Sequence, residues 1–455
     1  MMNQSPFFPS LPRFKSFPQP KSKSLPLALG LLLLTTACQP PTPNSSGPEP
    51  EGLKIGTLLP ITGDLAQYGA PMQDTAVLLV DQVNRCDGVR ERSVQLITED
   101  SQTEPSRGVA AMTKLAEVNQ VGGVVGGAAS AISTAAIDVA VRNQVVQISP
   151  ASTSPVFTSR AQNGDFNGFW FRTAPSDALQ GPALAQLAHD RGFSSIAVLA
   201  INNDYGNGLA AALIPAFEAL GGTVSNGGKA IFYPPDAATF DAEVAAAYRG
   251  RPDGGQPDGQ ADGQPDAVVL IAYPETGSLV LRAAFEQGYL DGATQLLLTE
   301  GMKAEQIAEL VGKNSQGEFI VAGALGTAPQ PGGPALTDFL ETYNNAYNTT
   351  PEIFDANTWD AVALLVLAAE SSGEFTGSAL KDHISKVANA PGIEVSNVCQ
   401  ALALLREGQE INYQGASSKI ELDQWGDVRG NYAIWQVKDT GVIEIIDTIE
   451  VGAQL

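Results

Sequence analysis

The chain has 455 residues, 44% hydrophobic and only 7% aromatic, with a formal net charge of -23. That length has room for two or three domains with real cores, and a mix dominated by Ala, Gly, Val and Leu suits α/β layers better than a β-sandwich. Residues 1–37 hold four bases and no acids, so the remainder carries -23 - 4 = -27, which argues against nucleic acid and anionic membrane surfaces as partners.

In chain order, basic residues up to Lys23 precede the apolar run LPLALGLLLLTTA, which is too short to span a bilayer and has the length of a signal-peptide core. It ends at TTAC, followed by QPPTPNSSGPEPEG. This resembles a bacterial lipoprotein signal, with residues 1–37 removed and Cys38 lipidated, although Thr35 stands where that pattern has leucine. Ordinary secretory cleavage near Ala37 is the alternative, and either route exports the protein. Residues 38–52 then read as a flexible tether. Two cysteines remain, Cys86 and Cys399, and an even remainder in an oxidising compartment suggests one disulfide closing a very long loop. No Cys/His spacing resembles a metal site, and His189 and His383 read as surface residues on helices.

From Leu53 the text alternates strand and helix. LKIGTLLP is a strand; GAPMQDTAVLLVDQVN is an amphipathic helix with Pro71 in its first turn and Ala76, Val77, Val80 and Val83 on one face. SVQLITED, PSRGVAAMTKLAEVNQ, VGGVVGG, SAISTAAIDVAVRN and VVQIS continue the rhythm, which predicts parallel strands joined by helical crossovers. After FWFRTAPSDALQGPALAQLAHDRG it starts again with SSIAVLAI, predicting a second sheet of the same kind. Residues 249–266 break the pattern as a Gly/Pro/Asp/Gln insert, expected to be a disordered surface loop. Three further helices follow, and the chain closes with short strands such as KIELDQWG, NYAIWQVK and VIEIIDTIEV. Two doubly wound sheets make two lobes, and ligands of such sheets bind at the carboxyl ends of the strands.

At those ends the candidate chemistry collects. The glycines of VGGVVGG do not match G-x-G-x-x-G, and no G-K-[ST] follows, so they are expected to let a small anion, not a nucleotide, approach the backbone near the Ser130 helix start. Ser130 alone could simply cap its helix. ISPASTSP adds Ser152, Thr153 and Ser154 after another strand, and two hydroxyl-bearing strand ends in one lobe suggest a carboxylate site. In the other lobe, AYPETG puts Tyr273 and Glu275 at a strand end and LLLTEGM puts Glu300 at the next, where a carboxylate could pair with a ligand ammonium or simply favour its own helix N-terminus. Tyr68 and Tyr205 fall where strands give way to helices, placed to wall a cleft or to pack beneath a loop. No histidine base accompanies Ser130, no G-x-S-x-G elbow is present, and no acid spacing marks a catalytic pair; the residues speak for binding and against catalysis.

Taken together, IGTLLPITGDLAQYG, ISPASTSP, FRTAPSDALQG, DYGNGLAAAL, AYPETG, LLLTEG and WDAVALLVLA resemble the branched-chain amino acid binding proteins of ABC transporters, from Leu53 to Val437. The resemblance implies the type I periplasmic-binding-protein fold: one lobe from residues 53–173 plus 328–430, another from 174–327 plus 431–455, joined by three hinge segments near Thr173, Ala328 and Gly430. It assigns the ligand α-carboxylate to Ser130 and Thr153 with backbone groups near Ala151 and Ser152, and the α-ammonium to Tyr273 and Glu300. Tyr68 and Tyr205 become aromatic walls from opposite lobes, and Asp177 of the PSD stretch joins the set. Tyr68 stands where better-known relatives have tryptophan, and Ala129 replaces one cysteine of a small disulfide found in some of them. Cys86 and Cys399 fall in the first lobe, where they could pair. Implied with the fold are a monomer without cofactor or catalytic residues, an amino acid ligand, and a membrane permease as partner; a sensory receptor, or a binder of urea, short amides or another small carboxylate, are the alternatives.

Overall fold

A computed structural model describes residues 51–249 and 264–451. The expected signal peptide, Cys38, most of the tether and nearly all of the Gly/Pro/Asp/Gln insert lie outside the described residues. Among the described residues no helix is long and apolar enough to cross a membrane.

The first sheet contains β1 (Lys54–Leu59), β2 (Gln95–Asp100), β3 (Gly123–Gly126), β4 (Val146–Ser149) and β5 (Trp170–Arg172). Their order is β2-β1-β3-β4-β5 and every pairing is parallel. Helices α1 (Ala66–Arg85), α2 (Pro105–Thr113), α3 (Ser130–Arg142) and α4 (Val156–Gln162) make the crossovers. One face of this sheet is covered by a helix that returns much later in the chain, Asp355–Ser372, whose Leu364 and Leu365 pack with Ile55, Val125 and Ile148.

Passing through α5 (Asp177–Asp190), the chain builds the second sheet from β6 (Ser195–Ile201), β7 (Thr223–Val224), β8 (Ile231–Tyr233), β9 (Ala267–Ile271), β10 (Gln295–Leu298) and β11 (Leu325–Gln330), with α6 (Asp204–Ala219) after β6. It then returns to the first layer, where β12 (Ile393–Val395) and β13 (Ile411–Tyr413) pair in parallel, and comes back a last time as β14 (Asn431–Val437) and β15 (Ile443–Ile449). The resulting order is β15-β14-β11-β10-β9-β6-β7, with β8 also pairing β6. Winding is parallel except at one edge, where β11, β14 and β15 run antiparallel. This is the two-lobed α/β architecture that the sequence resemblance implies. The chain passes between sheets after β5, after β11 and before β14; β11 keeps its pairing with β14 through Gln330, two residues beyond Ala328.

Several local expectations change. Helix α1 begins a turn early, at Ala66, so Pro71 is inside it, and Val77 is 39% exposed while Ala76, Val80 and Val83 are buried. KIELDQWG forms no strand: Ile420 has φ +46°, and the Asp423 carboxylate accepts from the N–H groups of Trp425 and Asp427, folding the segment into a turn. His383 is half-buried, its Nδ1 2.9 Å from Ser371 Oγ, whereas His189 is exposed. Cys86 and Cys399 form a disulfide with a Cα–Cα distance of 5.9 Å, tying the end of α1 to the helix Val398–Arg406.

Candidate functional site

The VGGVVGG turn is built for packing. A Cβ on Gly122 would lie 2.2 Å from the Phe375 carbonyl oxygen, and one on Gly126 would lie 2.1 Å from that of Leu58. The space expected to admit a ligand anion is filled, by backbone at Gly122 and Gly126 and by the side chains of Leu365 and Ile132 at Gly123 and Gly127, so these glycines serve close packing rather than the ligand. The next three residues, Ala128, Ala129 and Ser130, are the ones that reach a cavity.

That cavity lies between the lobes, and the space among its lining atoms, open solvent included, is about 400 Å³. Seven of the nine expected site residues line it: Tyr68, Ser130, Ala151 and Thr153 from the first lobe, Tyr205, Tyr273 and Glu300 from the second. Ser152 and Asp177 lie behind the wall. Ser152 Oγ donates to the Gly127 carbonyl at 3.0 Å, beside Ser149 Oγ at 2.6 Å and Ser133 Oγ at 2.9 Å, so three hydroxyls converge on one oxygen and fix the loop. Glu275 is exposed, one residue inside the helix that Tyr273 precedes, and does not reach the cavity.

Ser130 is the first residue of α3, not its cap; Ala129 holds that position without a side-chain hydrogen bond. The Ser130 hydroxyl instead accepts from the Ser154 N–H at 3.3 Å, and among the described residues its own hydrogen has no protein acceptor. The Thr153 hydroxyl donates to Asp177 Oδ2 at 2.9 Å, while the Thr153 N–H has no acceptor among the described residues. Both residues line the cavity, so the donors of the first-lobe wall include the Ser130 O–H and the Thr153 N–H.

The second lobe has the opposite character. Glu300 opens a short 3₁₀ turn after β10 and is only 3% exposed. Burial pushes its carboxyl up to about 7, against the hydrogen bonds that favour the carboxylate, among them those of Tyr205 and Gln180. Gln180 Nε2 lies 2.5 Å from Glu300 Oε2. Asp177, one helical turn before Gln180, is raised well above the ordinary carboxyl range by burial and by Glu300, with Thr153 and Arg172 opposing. Tyr205 and Tyr273 stack with centroids 5.5 Å apart and planes 9° from parallel, and the Tyr205 hydroxyl is 2.7 Å from Thr299 Oγ1.

The remaining walls are apolar: Pro60, Leu65, Met72 and Phe354, with the backbone of Gly301. Leu65 and Met72 stand three residues before and four after Tyr68, on the same helical face, a spacing legible in the sequence. Phe354 arrives from the returning part of the first lobe at φ +71°, with Thr358 Oγ1 donating to its carbonyl at 3.0 Å. No local signal pointed to it. The lobes touch where Tyr68 Oη donates to the Gly301 carbonyl at 3.2 Å and Thr350 Oγ1 to Glu305 at 3.3 Å. The arrangement can hold a small zwitterion, with donors from one lobe, a buried acid from the other and apolar side chains among the lining. Among the described residues no cluster of His, Cys, Asp or Glu could hold a metal ion.

Comparison with known proteins bears on the family and the fold. A family model described as periplasmic binding protein matches residues 52–422. The chemotactic signal transduction system substrate-binding protein BasB of Halobacterium salinarum is 26% identical over 411 residues, 85% of this chain and 87% of that protein. A leucine-, isoleucine-, valine-, threonine- and alanine-binding protein of Pseudomonas aeruginosa is 28% identical over 334 residues, 71% of this chain and 79% of its own length. In fold, the chain is similar to the crystal structure of the leucine binding protein LivK of Thermotoga maritima, with a TM-score of 0.70 and 24% identity, over 88% of this chain and 99% of that one.

Proposed function

The chain belongs to the periplasmic binding protein family, and on that premise we propose that it is the receptor of an ABC importer, capturing a neutral, apolar α-amino acid between its lobes. One observation carries the reading: one interlobe cavity is lined by Ser130 and Thr153 with O–H and N–H donors lacking protein acceptors among the described residues, by the buried acid Glu300 of the other lobe, and by the apolar Leu65, Met72 and Phe354. The ligand carboxylate takes the donors of Ser130 and Thr153. Its ammonium goes to Glu300 beside Tyr273, with Asp177 behind. Tyr68 and Tyr205 close over it from opposite lobes. Capture stabilises the closed arrangement because only that arrangement has both walls in contact with one molecule.

The closed form is then presented to a membrane permease, from a monomer held at the membrane through a lipid on Cys38. The names of the Pseudomonas and Thermotoga relatives support an amino acid ligand. A second reading, a receptor that reports closure to a signalling partner, is favoured by the halobacterial relative, whose similarity spans the larger part of both chains.

A thermal-shift screen of the purified protein against the amino acids, urea, short amides and small carboxylates tests the ligand class. A ligand at 100 times its Kd stabilises by about 2.7 kcal/mol, a clear rise in midpoint. Stabilisation by an apolar amino acid in wild type, lost in Glu300→Ala, is the expected result. Stabilisation only by ligands without an ammonium would overturn the role of Glu300. Uptake and chemotaxis assays in a deletion strain separate the import and sensing readings.

A further inference from the structure

Arg172, the last residue of β5, is fully buried, and it does not line the cavity. A buried guanidinium is costly unless its donors are matched. Nε donates to Asp427 Oδ1 at 2.7 Å. Nη2 donates to Thr158 Oγ1 at 2.9 Å, and that hydroxyl donates in turn to Asp427 Oδ2 at 2.5 Å. Nη1 turns the other way and donates to the carbonyls of Ser152 at 3.1 Å and Ser154 at 3.0 Å. Asp427 is 11% exposed at its side chain, so the ion pair has its negative end toward solvent and its positive end toward the loop behind the cavity.

The Ser152 carbonyl belongs to the same peptide group as the Thr153 N–H, which has no protein acceptor among the described residues. In a trans peptide the two ends point in opposite directions. A guanidinium on the oxygen polarises the group and strengthens the N–H as a donor, most of all in a poorly solvated interior.

We propose that Arg172 is a positioning residue for an anionic ligand headgroup that it never touches, aiming and polarising the 152–153 peptide so that its N–H receives the anion. This rests on the carboxylate reading of the cavity. Asp427 and Thr158 hold the guanidinium in register, and through Asp427, just before β14, the loop is tied to the third passage between the sheets. The chemistry selected is a carboxylate over its neutral isostere.

The test uses the full chain as wild type, Arg172→Met, Arg172→Lys and Asp427→Asn, titrated calorimetrically with L-leucine and L-leucinamide. The readout is the ratio of the two affinities. A change in fold or hinge stiffness alone weakens both ligands together and leaves that ratio unchanged. The expected result is a loss of about tenfold in the preference for leucine in Arg172→Met, about the difference between a charge-assisted and a neutral hydrogen bond. Arg172→Lys recovers part of it, since the charge returns without the fork that spans both carbonyls and Asp427. Asp427→Asn keeps the guanidinium but loosens the contact that holds it in register, so it is expected to lose part of the preference, less than Arg172→Met, and it carries the test if Arg172→Met fails to fold. Parallel weakening of both ligands, or an unchanged ratio, overturns the proposal. If wild type binds neither molecule, the amino acid reading itself falls and takes this inference with it.

Discussion

The hydroxyl of Tyr68, on the first helix of one lobe, donates to the carbonyl oxygen of Gly301, on the other lobe, at 3.2 Å. The two residues are 233 positions apart, and the bond exists only while the lobes are together. Its removal separates closure from folding. Tyr68→Phe is expected to weaken ligand affinity by roughly 2- to 10-fold, the worth of one buried hydrogen bond, mainly through faster release. The ligand-free midpoint should stay where it is. Stopped-flow release rates beside a thermal melt check both halves.

Glu300 makes binding depend on pH. Its carboxyl ionises near 4.5 when unperturbed and at about 7 in the folded, ligand-free protein, chiefly through burial. The fold thus favours the neutral acid: that contribution is complete below about 4.5 and is lost as pH rises through about 7. A ligand ammonium favours the carboxylate, so binding below about 7 releases a proton and affinity climbs by up to tenfold per pH unit before levelling off. The groups around Glu300 are Asp177 and Gln180 of α5, Tyr205 of α6, Tyr68 of α1, Tyr273 after β9 and Tyr432 of β14. Glu300→Gln should flatten the dependence and, at pH 8, weaken ammonium ligands by roughly 10- to 100-fold. Calorimetry in buffers of different ionisation enthalpy measures the proton directly.

Gly208 gives a sharper test of closure. It lies on α6 of the second lobe, and a Cβ there would be 2.7 Å from Ser154 Oγ and 2.8 Å from Pro155 Cδ, both in the first lobe. Alanine is the better helix former by about 1 kcal/mol. Gly208→Ala should therefore raise the stability of the ligand-free protein while holding the lobes apart, with a larger radius of gyration and weaker binding. Small-angle scattering and a denaturant melt on the same sample decide it; tighter binding would show that the lobes do not meet here in solution.

The Cys86–Cys399 bond lies between α1 and the helix Val398–Arg406, and neither cysteine lines the cavity. Replacing both cysteines by alanine should cost about 2–5 kcal/mol in urea unfolding, because the bond constrains a very long loop in the unfolded chain. Ligand affinity should change by less than about twofold, since the substitution leaves the site residues and the hinge untouched.

Much of this architecture was legible because strand–helix alternation is a local pattern. Tyr205, Tyr273 and Glu300 sit where strands give way to helices, and a doubly wound sheet gathers those junctions at one edge. Their meeting in one cavity follows from winding alone. What stayed hidden depends on distant parts of the chain. Phe354 reaches the cavity only because a helix from the far end of the chain returns to the first sheet. The Gln180 side chain reads locally as an ordinary helix residue, yet it is held against Glu300, 120 positions away. The glycines of VGGVVGG misled for the same reason: the carbonyls of Leu58 and Phe375 occupy their side-chain space, and Phe375 lies far along the sequence. KIELDQWG has the alternation of a strand, but its aspartate takes the hydrogen bonds that a ladder would need.

The disulfide spans a sequence separation of 313 residues, and the whole second sheet up to β11 hangs between its two ends. A single protease cut anywhere between Cys86 and Cys399 therefore leaves two polypeptides but still one covalent molecule. Such a nicked protein runs as a full-length band until reductant is added. It keeps every residue of both cavity walls tethered together. For a member of the periplasmic binding protein family, one cross-link in the first lobe turns the first scission in that span from a loss of parts into a scar.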